Sequence, residues 1–132
     1  MQQTTNNILM IRPANFNYND QTASNNYYQK RGIALESVNE NAQKEFDLLV
    51  EKLKSNGINV LVFDDDLKHE TPSAVFPNNW ISFHSNGDIA IYPMFAINRR
   101  LERREDVFSF VENKGFNIKN VVDYTSAEDE NL

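Results

Sequence analysis

The run Phe76-Pro77-Asn78-Asn79-Trp80 is the most unusual segment of this chain on physical grounds alone. Each carboxamide offers a carbonyl acceptor and an NH₂ donor pair without a net charge. Read as part of a strand, the run points Asn78 and Asn79 to opposite faces, and a buried amide there needs partners for all its polar groups. Pro77 removes a ladder donor, which suits an edge or a bulge beside a pocket. The plain alternative is a polar edge strand with Trp80 in the core. Downstream, Arg99, Arg100, Arg103 and Arg104 interleave with Glu102, Glu105 and Asp106. A guanidinium fork matches a carboxylate bidentately, but the same spacing describes a solvated helix face with local ion pairs.

Other clusters carry less chemistry. Asp64, Asp65, Asp66, His69 and Glu70 are metal-ligand types, yet no glycine lies among them to make the turn of a calcium loop, so they read as a solvated acidic turn. His84 follows a predicted strand and is expected to pack or hydrogen-bond at its end. Neither His69 nor His84 is assigned as a base, and Ser73 and Ser82 lack a nucleophile-elbow context. The chain has no cysteine, which excludes thiolate metal sites and thiol nucleophiles within it. No metal or other cofactor is expected.

The elements that must position these residues follow from periodicity. Asn7 to Arg12 is a short apolar run closed by Pro13 and reads as a strand. Ala14 to Gly32, crowded with Asn, Tyr and Gln, forms a connection long enough to suggest a function. Ser37 and Glu40 read as a capping box, with Ala42, Phe46, Leu49, Val50 and Leu53 on one face of the helix and Gly57 as its stop. Ile58 to Phe63, Ala74 to His84 and Asp88 to Met94 are predicted strands, the last two joined through Asn86-Gly87. These four strands are expected to form one mixed sheet with the first helix packed on it. A second helix is predicted from an Asn98 cap, with Leu101, Val107, Phe108 and Val111 inward and Gly115 as stop. The helix exits Ser55-Asn56-Gly57-Ile58-Asn59-Val60 and Asn113-Lys114-Gly115-Phe116-Asn117-Ile118 resemble each other 58 positions apart, which points to a repeated module. Phe116 to Tyr124 is the predicted strand of the second copy.

A chain of 132 residues with 40% hydrophobic content can bury one modest core, so residues 1–132 are expected to form a single portion. Its net charge of −6 disfavours nucleic acid and anionic lipid surfaces, and no apolar run is long enough to span a membrane. A cytoplasmic location is expected.

Thr71-Pro72-Ser73-Ala74-Val75-Phe76-Pro77-Asn78-Asn79-Trp80, Tyr92-Pro93-Met94 and Asn98-Arg99-Arg100-Leu101-Glu102-Arg103-Arg104 resemble, in order, the citrulline-utilisation hydrolase branch of the arginine deiminase and amidinotransferase superfamily. Arg12-Pro13-Ala14-Asn15-Phe16 and Val62-Phe63-Asp64-Asp65 extend the resemblance over nearly the whole chain. It implies an α/β pentein fold, a propeller of ββαβ-type modules around a polar pocket, of which this chain would hold the first module and the start of the second. It implies substrate-binding roles for Phe76, Asn78, Asn79 and Arg99, with Arg99 on a substrate carboxylate. The amides at 78 and 79 stand near where relatives carry acids, which favours a neutral ureido group over a guanidinium. Ser73 stands where the branch often has Asp. The family's cysteine nucleophile and its histidine belong to later modules, so the chain is expected to be inactive alone. The implied partners are a small guanidino or ureido amino acid, and the missing C-terminal modules or a homo-oligomer. The competing expectations are a ligand-binding or assembly module completed by a second chain, and an unrelated α/β protein.

Overall fold

A computed structural model describes residues 4–24, 26–27 and 35–130. Strand β1, Asn7–Arg12, pairs in parallel with β2, Asn59–Asp64, from Asn7 opposite Asn59 to Arg12 opposite Asp64. Helix α1, Leu35–Ser55, makes the crossover between them, as parallel pairing requires. Its Phe46 and Val50 pack on Val60, with Met10, Leu53, Ile58 and Val62 around them. Leu49, expected on this face, is instead 48% exposed. At about 100° per residue Leu49 lies on the flank of the stripe, about 60° from Phe46 and 100° from Val50, and that flank faces solvent. The expected capping box also fails, because the helix already includes Leu35 and Ser37 lies inside it. The end of the long connection, up to Gly32, lies outside the described residues.

Strands β3, Ile81–Phe83, and β4, Asp88–Ile91, form an antiparallel hairpin whose turn closes through Gly87 at φ +91°. Chain then passes through α2, Ile97–Arg100, and α3, Asp106–Asn113, to β5, Asn120–Asp123, which pairs in parallel with β4. The single second helix expected from Asn98 is thus two, and the first begins after Ala96, not after Asn98. Leu101, expected inward, is 48% exposed, whereas Val107 and Val111 are buried and Phe108 packs against them.

Both helix exits close alike. Gly57, at φ +82°, donates to Lys54 O at 3.0 Å while Ile58 donates to Leu53 O at 3.1 Å. Gly115, at φ +91°, donates to Glu112 O at 2.9 Å while Phe116 donates to Val111 O at 3.3 Å. This paired closure needs a left-handed residue, which glycine adopts without steric cost. The repeat read from sequence is therefore a repeated strand, helix and parallel strand.

The expected single sheet is two: β1 with β2, and β3, β4 and β5 in that order. A common core joins them, in which Trp80, Ile81, Ile89, Met94, Val107 and Val111 meet Leu61, with Leu9 and Phe63 packed alongside. The expected strand from Ala74 to His84 shrinks to Ile81–Phe83, and Pro77–Asn79 is a 3-10 turn. Proline at its first position supplies a ready φ and an N–H that the turn does not miss. Among the described residues, no helix is long and apolar enough to cross a membrane.

Candidate functional site

From Thr71 to Trp80 the chain winds through consecutive tight turns, with Ala74 donating to Thr71 O, Phe76 to Ser73 O, Asn79 to Phe76 O and Trp80 to Pro77 O at 3.0–3.2 Å. Trp80, 1% exposed, anchors the end of this segment, and its carbonyl accepts Tyr92 N–H at 2.9 Å to start the hairpin. The turn leaves Phe76 half exposed and Asn78 and Asn79 on the surface. The strand geometry that would have sent the two amides to opposite faces does not exist.

Arg99, on the short α2, reaches back to this turn. Its Nη1 donates to Asn79 Oδ1 at 3.0 Å, and Nη2 lies 3.4 Å from both the Ser73 and Phe76 carbonyls. Its Nε and Nη2 make a fork to Glu102, each at 2.9 Å. The Glu102 side chain is 1% exposed and that of Arg99 13%, so this is a buried pair. Burial raises the Glu102 carboxyl above its ordinary range, against the pull of Arg99. Phe76, Asn79 and Arg99 are thus brought together, while Asn78 stands at the tip of the turn with no side-chain hydrogen bond among the described residues.

Sequence reading missed Asn19. It is 1% exposed, and its Nδ2 donates to Ser73 Oγ at 3.1 Å and toward Asn98 Oδ1 at 3.4 Å. Its Oδ1 accepts from Asn98 Nδ2 at 2.9 Å and Gln21 N–H at 3.1 Å. The Asn-rich connection therefore packs directly beside the Ser73 and Arg99 cluster; its unusual length was the signal.

The other arginines, whose spacing also describes a solvated helix face, all have internal partners. Arg103 pairs with Glu128, which also accepts the Met94 N–H at 2.7 Å and lies 3.3 Å from Arg100 Nε. Arg104 stacks on Phe63, 4.8 Å from the ring centroid, and lies among Asp65, Asp66 and Asp106. The acidic turn is consequently not simply solvated: the Asp65 side chain is 4% exposed, accepts Thr71 Oγ1 at 3.0 Å, and is raised by burial. Among the described residues no acidic or histidine cluster suits a metal ion. His84 bonds Ser82 Oγ through Nε2 at 3.0 Å, as expected of a residue at a strand end.

Two cavities lie outside this cluster. One of about 750 Å³ opens between the start of β1 and the β3–β4 hairpin, where Leu9, Leu61, Phe83, Ile89, Val111 and Phe116 stand beside polar Thr5, Asn6, Asn7, His84, Ser85, Asp88 and Asn117. Among the described residues no arginine or lysine lines it to meet a substrate carboxylate, whereas the 71–104 region presents Arg99 beside Asn79.

A family model described as N,N dimethylarginine dimethylhydrolase, eukaryotic, matches residues 12–132. The chain belongs to the dimethylarginine dimethylhydrolase family. That family is pentein-fold and related to the arginine deiminases and amidinotransferases, in agreement with the resemblance read from the motifs. Its members are hydrolases, and the small mixed α/β architecture seen here is compatible with part of a pentein. No curated protein and no solved structure matches the chain.

Proposed function

We propose that this chain supplies the amino-acid-binding face of a hydrolase that cleaves a carbon–nitrogen bond in citrulline, arginine, dimethylarginine or a close analogue. The observation that carries the reading is the 3.0 Å contact of Arg99 with Asn79, within the segment that carries the family motifs. Phe76, Asn78 and Asn79 would meet the ureido or guanidino group, and the neutral amides favour a ureido compound such as citrulline. Arg99 retains a second Nη1 hydrogen with no acceptor among the described residues, so it can meet a substrate carboxylate through one bond and not a fork. Its charge is already balanced by Glu102.

The fold proposed for the whole is the propeller of ββαβ-type modules, with residues 1–132 as its first module and the start of the second. The compartment proposed is the cytoplasm. Without a cysteine the chain should not turn substrate over alone, because covalent attack at a planar carbon needs an activated nucleophile. A second reading, a binding or assembly module completed by another chain or by a second copy, draws support from β5, which is exposed at every position. Ammonia or dimethylamine release from citrulline, arginine and dimethylarginine tests both. We expect none from the purified chain and release only with complementing modules; robust release by the chain alone would overturn the reading.

A further inference from the structure

We propose that Asn19 is a positioning residue for the candidate site: its buried carboxamide clasps Ser73 to Asn98 and so sets Arg99 against Asn79. All the side-chain hydrogen-bonding capacity of Asn19 is committed, two donors to Ser73 Oγ and Asn98 Oδ1 and two acceptor directions to Asn98 Nδ2 and Gln21 N–H. A carboxamide 1% exposed would be costly there unless so satisfied. Each end of the clasp is one step from the guanidinium. Ser73, itself buried, faces Arg99 Nη2 with its carbonyl at 3.4 Å, and Asn98 is the chain neighbour of Arg99. Gln21 Oε1 adds a bond to Asn98 N–H at 2.9 Å, holding the start of α2 from the same loop.

An acid at position 73 would accept from Asn19 but add a charge beside a carbonyl-rich turn. A serine hydroxyl accepts without one, and it can rotate to donate elsewhere. The clasp is therefore neutral, and it leaves Glu102 as the balancing charge for Arg99. The role rests on the proposed amino-acid-binding reading for its consequence in ligand affinity, but not for its effect on Arg99.

The test uses the full chain, the variants Asn19→Ala, Asn19→Asp and Ser73→Ala, and nitrogen-15 NMR. Loss of a buried bond network that holds the Arg99 fork should speed exchange of the Arg99 Nε–H by roughly tenfold in Asn19→Ala. Amides of Ile11 and Leu61, in the other sheet, should keep their protection. Asn19→Asp keeps the acceptor contacts and should restore part of the Arg99 protection; Ser73→Ala should shift it in the same direction as Asn19→Ala by less. Unchanged Arg99 exchange in Asn19→Ala would overturn the proposal. So would loss of protection at Arg99, Ile11 and Leu61 by equal factors in both Asn19→Ala and Ser73→Ala, which is the signature of a purely global role. Titration with citrulline separates the two claims: no shift at Arg99 in the wild-type chain sinks the ligand reading while leaving the clasp standing. Binding by the wild type that Asn19→Ala weakens about tenfold supports both.

Discussion

Two parallel crossovers build this molecule, and they are held together differently. In the first, a 21-residue α1 covers one side of β1 and β2 with Phe46 and Val50, while Leu9, Leu61 and Phe63 pack in the shared core. In the second, an 8-residue α3 buries only Val107 and Val111, and β5 is exposed along its length. Its register comes from polar contacts: Lys119 N–H to Gly87 O and Tyr124 N–H to Ile91 O, each at 2.9 Å, and Glu128 holding Arg100, Arg103 and the Met94 amide. The candidate site sits on the polar unit. Apolar burial tolerates small displacements of a helix, whereas forks and amide pairs fix side-chain angles, which is what a site for a small polar amino acid requires.

The largest expected effect tests whether the two units share one core. Trp80 is 1% exposed and packs in the cluster that includes Leu61 of β2. Trp80→Ala should cost about 3–5 kcal/mol, read as a shift in the urea midpoint, and loosen both sheets together. Phe46→Ala should be comparable in cost but confined in hydrogen exchange to β1, α1 and β2. Protection lost only in β3–β5 on removing Trp80 would break the picture of a joint core.

A smaller effect separates geometry from burial. Arg12 grips Asp47 through Nε and Nη2 at 2.8 and 2.9 Å, the same fork that Arg99 makes on Glu102. Side chains of the first pair are 31% and 51% exposed, those of the second 13% and 1%. Glu102→Gln should therefore destabilise by about 3 kcal/mol, since it strands a guanidinium in a dry site. Asp47→Asn should leave the midpoint nearly unchanged. Equal effects from the two would mean that the inner pair is more hydrated than its exposure indicates.

Much of the first unit was legible because short-range rules govern it. Strand β1 has the ends its apolar run and Pro13 dictate, and both glycine exits were readable from Asn-Gly and Lys-Gly steps after amphipathic helices. The winding of residues 71–80 was misread because Ala74-Val75-Phe76 and Trp80-Ile81 look strand-like, although Pro77-Asn78-Asn79 carried turn chemistry. Asn19 could not be picked out at all, and Glu102 was read only as one of several charges in local ion pairs. One asparagine among many in a loop, or one glutamate in a run of charges, becomes special only when tertiary packing dries it. For the same reason Arg99 was found through resemblance, and its partner was not.

The smallest expected effect is an acid-induced release of the last turn, and it belongs to the polar unit alone. Burial pushes the Glu128 carboxyl upward, but Arg103, the Met94 N–H and Arg100 outweigh it and hold the group below its ordinary 4.5. A carboxyl depressed in the folded state stabilises fully above its unfolded value and loses that contribution as pH falls through the depressed one. Between neutrality and 4.5 the contact between the 3-10 turn Thr125–Glu130 and the Met94 segment should therefore hold, and below that range it should weaken progressively. Asp47 in the first unit is also depressed, by its hydrogen bond from Arg12, but that pair is exposed and should respond to salt as well as to acid. Amide exchange followed from pH 6 to about pH 3 should show early loss of protection at Met94 and Ala127 while Leu61 stays protected. Glu128→Gln should abolish the acid dependence at Met94 and leave a weaker, pH-independent contact. If Met94 loosens with the same midpoint in that variant, another carboxylate governs the turn, and Asp123, lowered by hydrogen bonds from Thr125, is the next to replace.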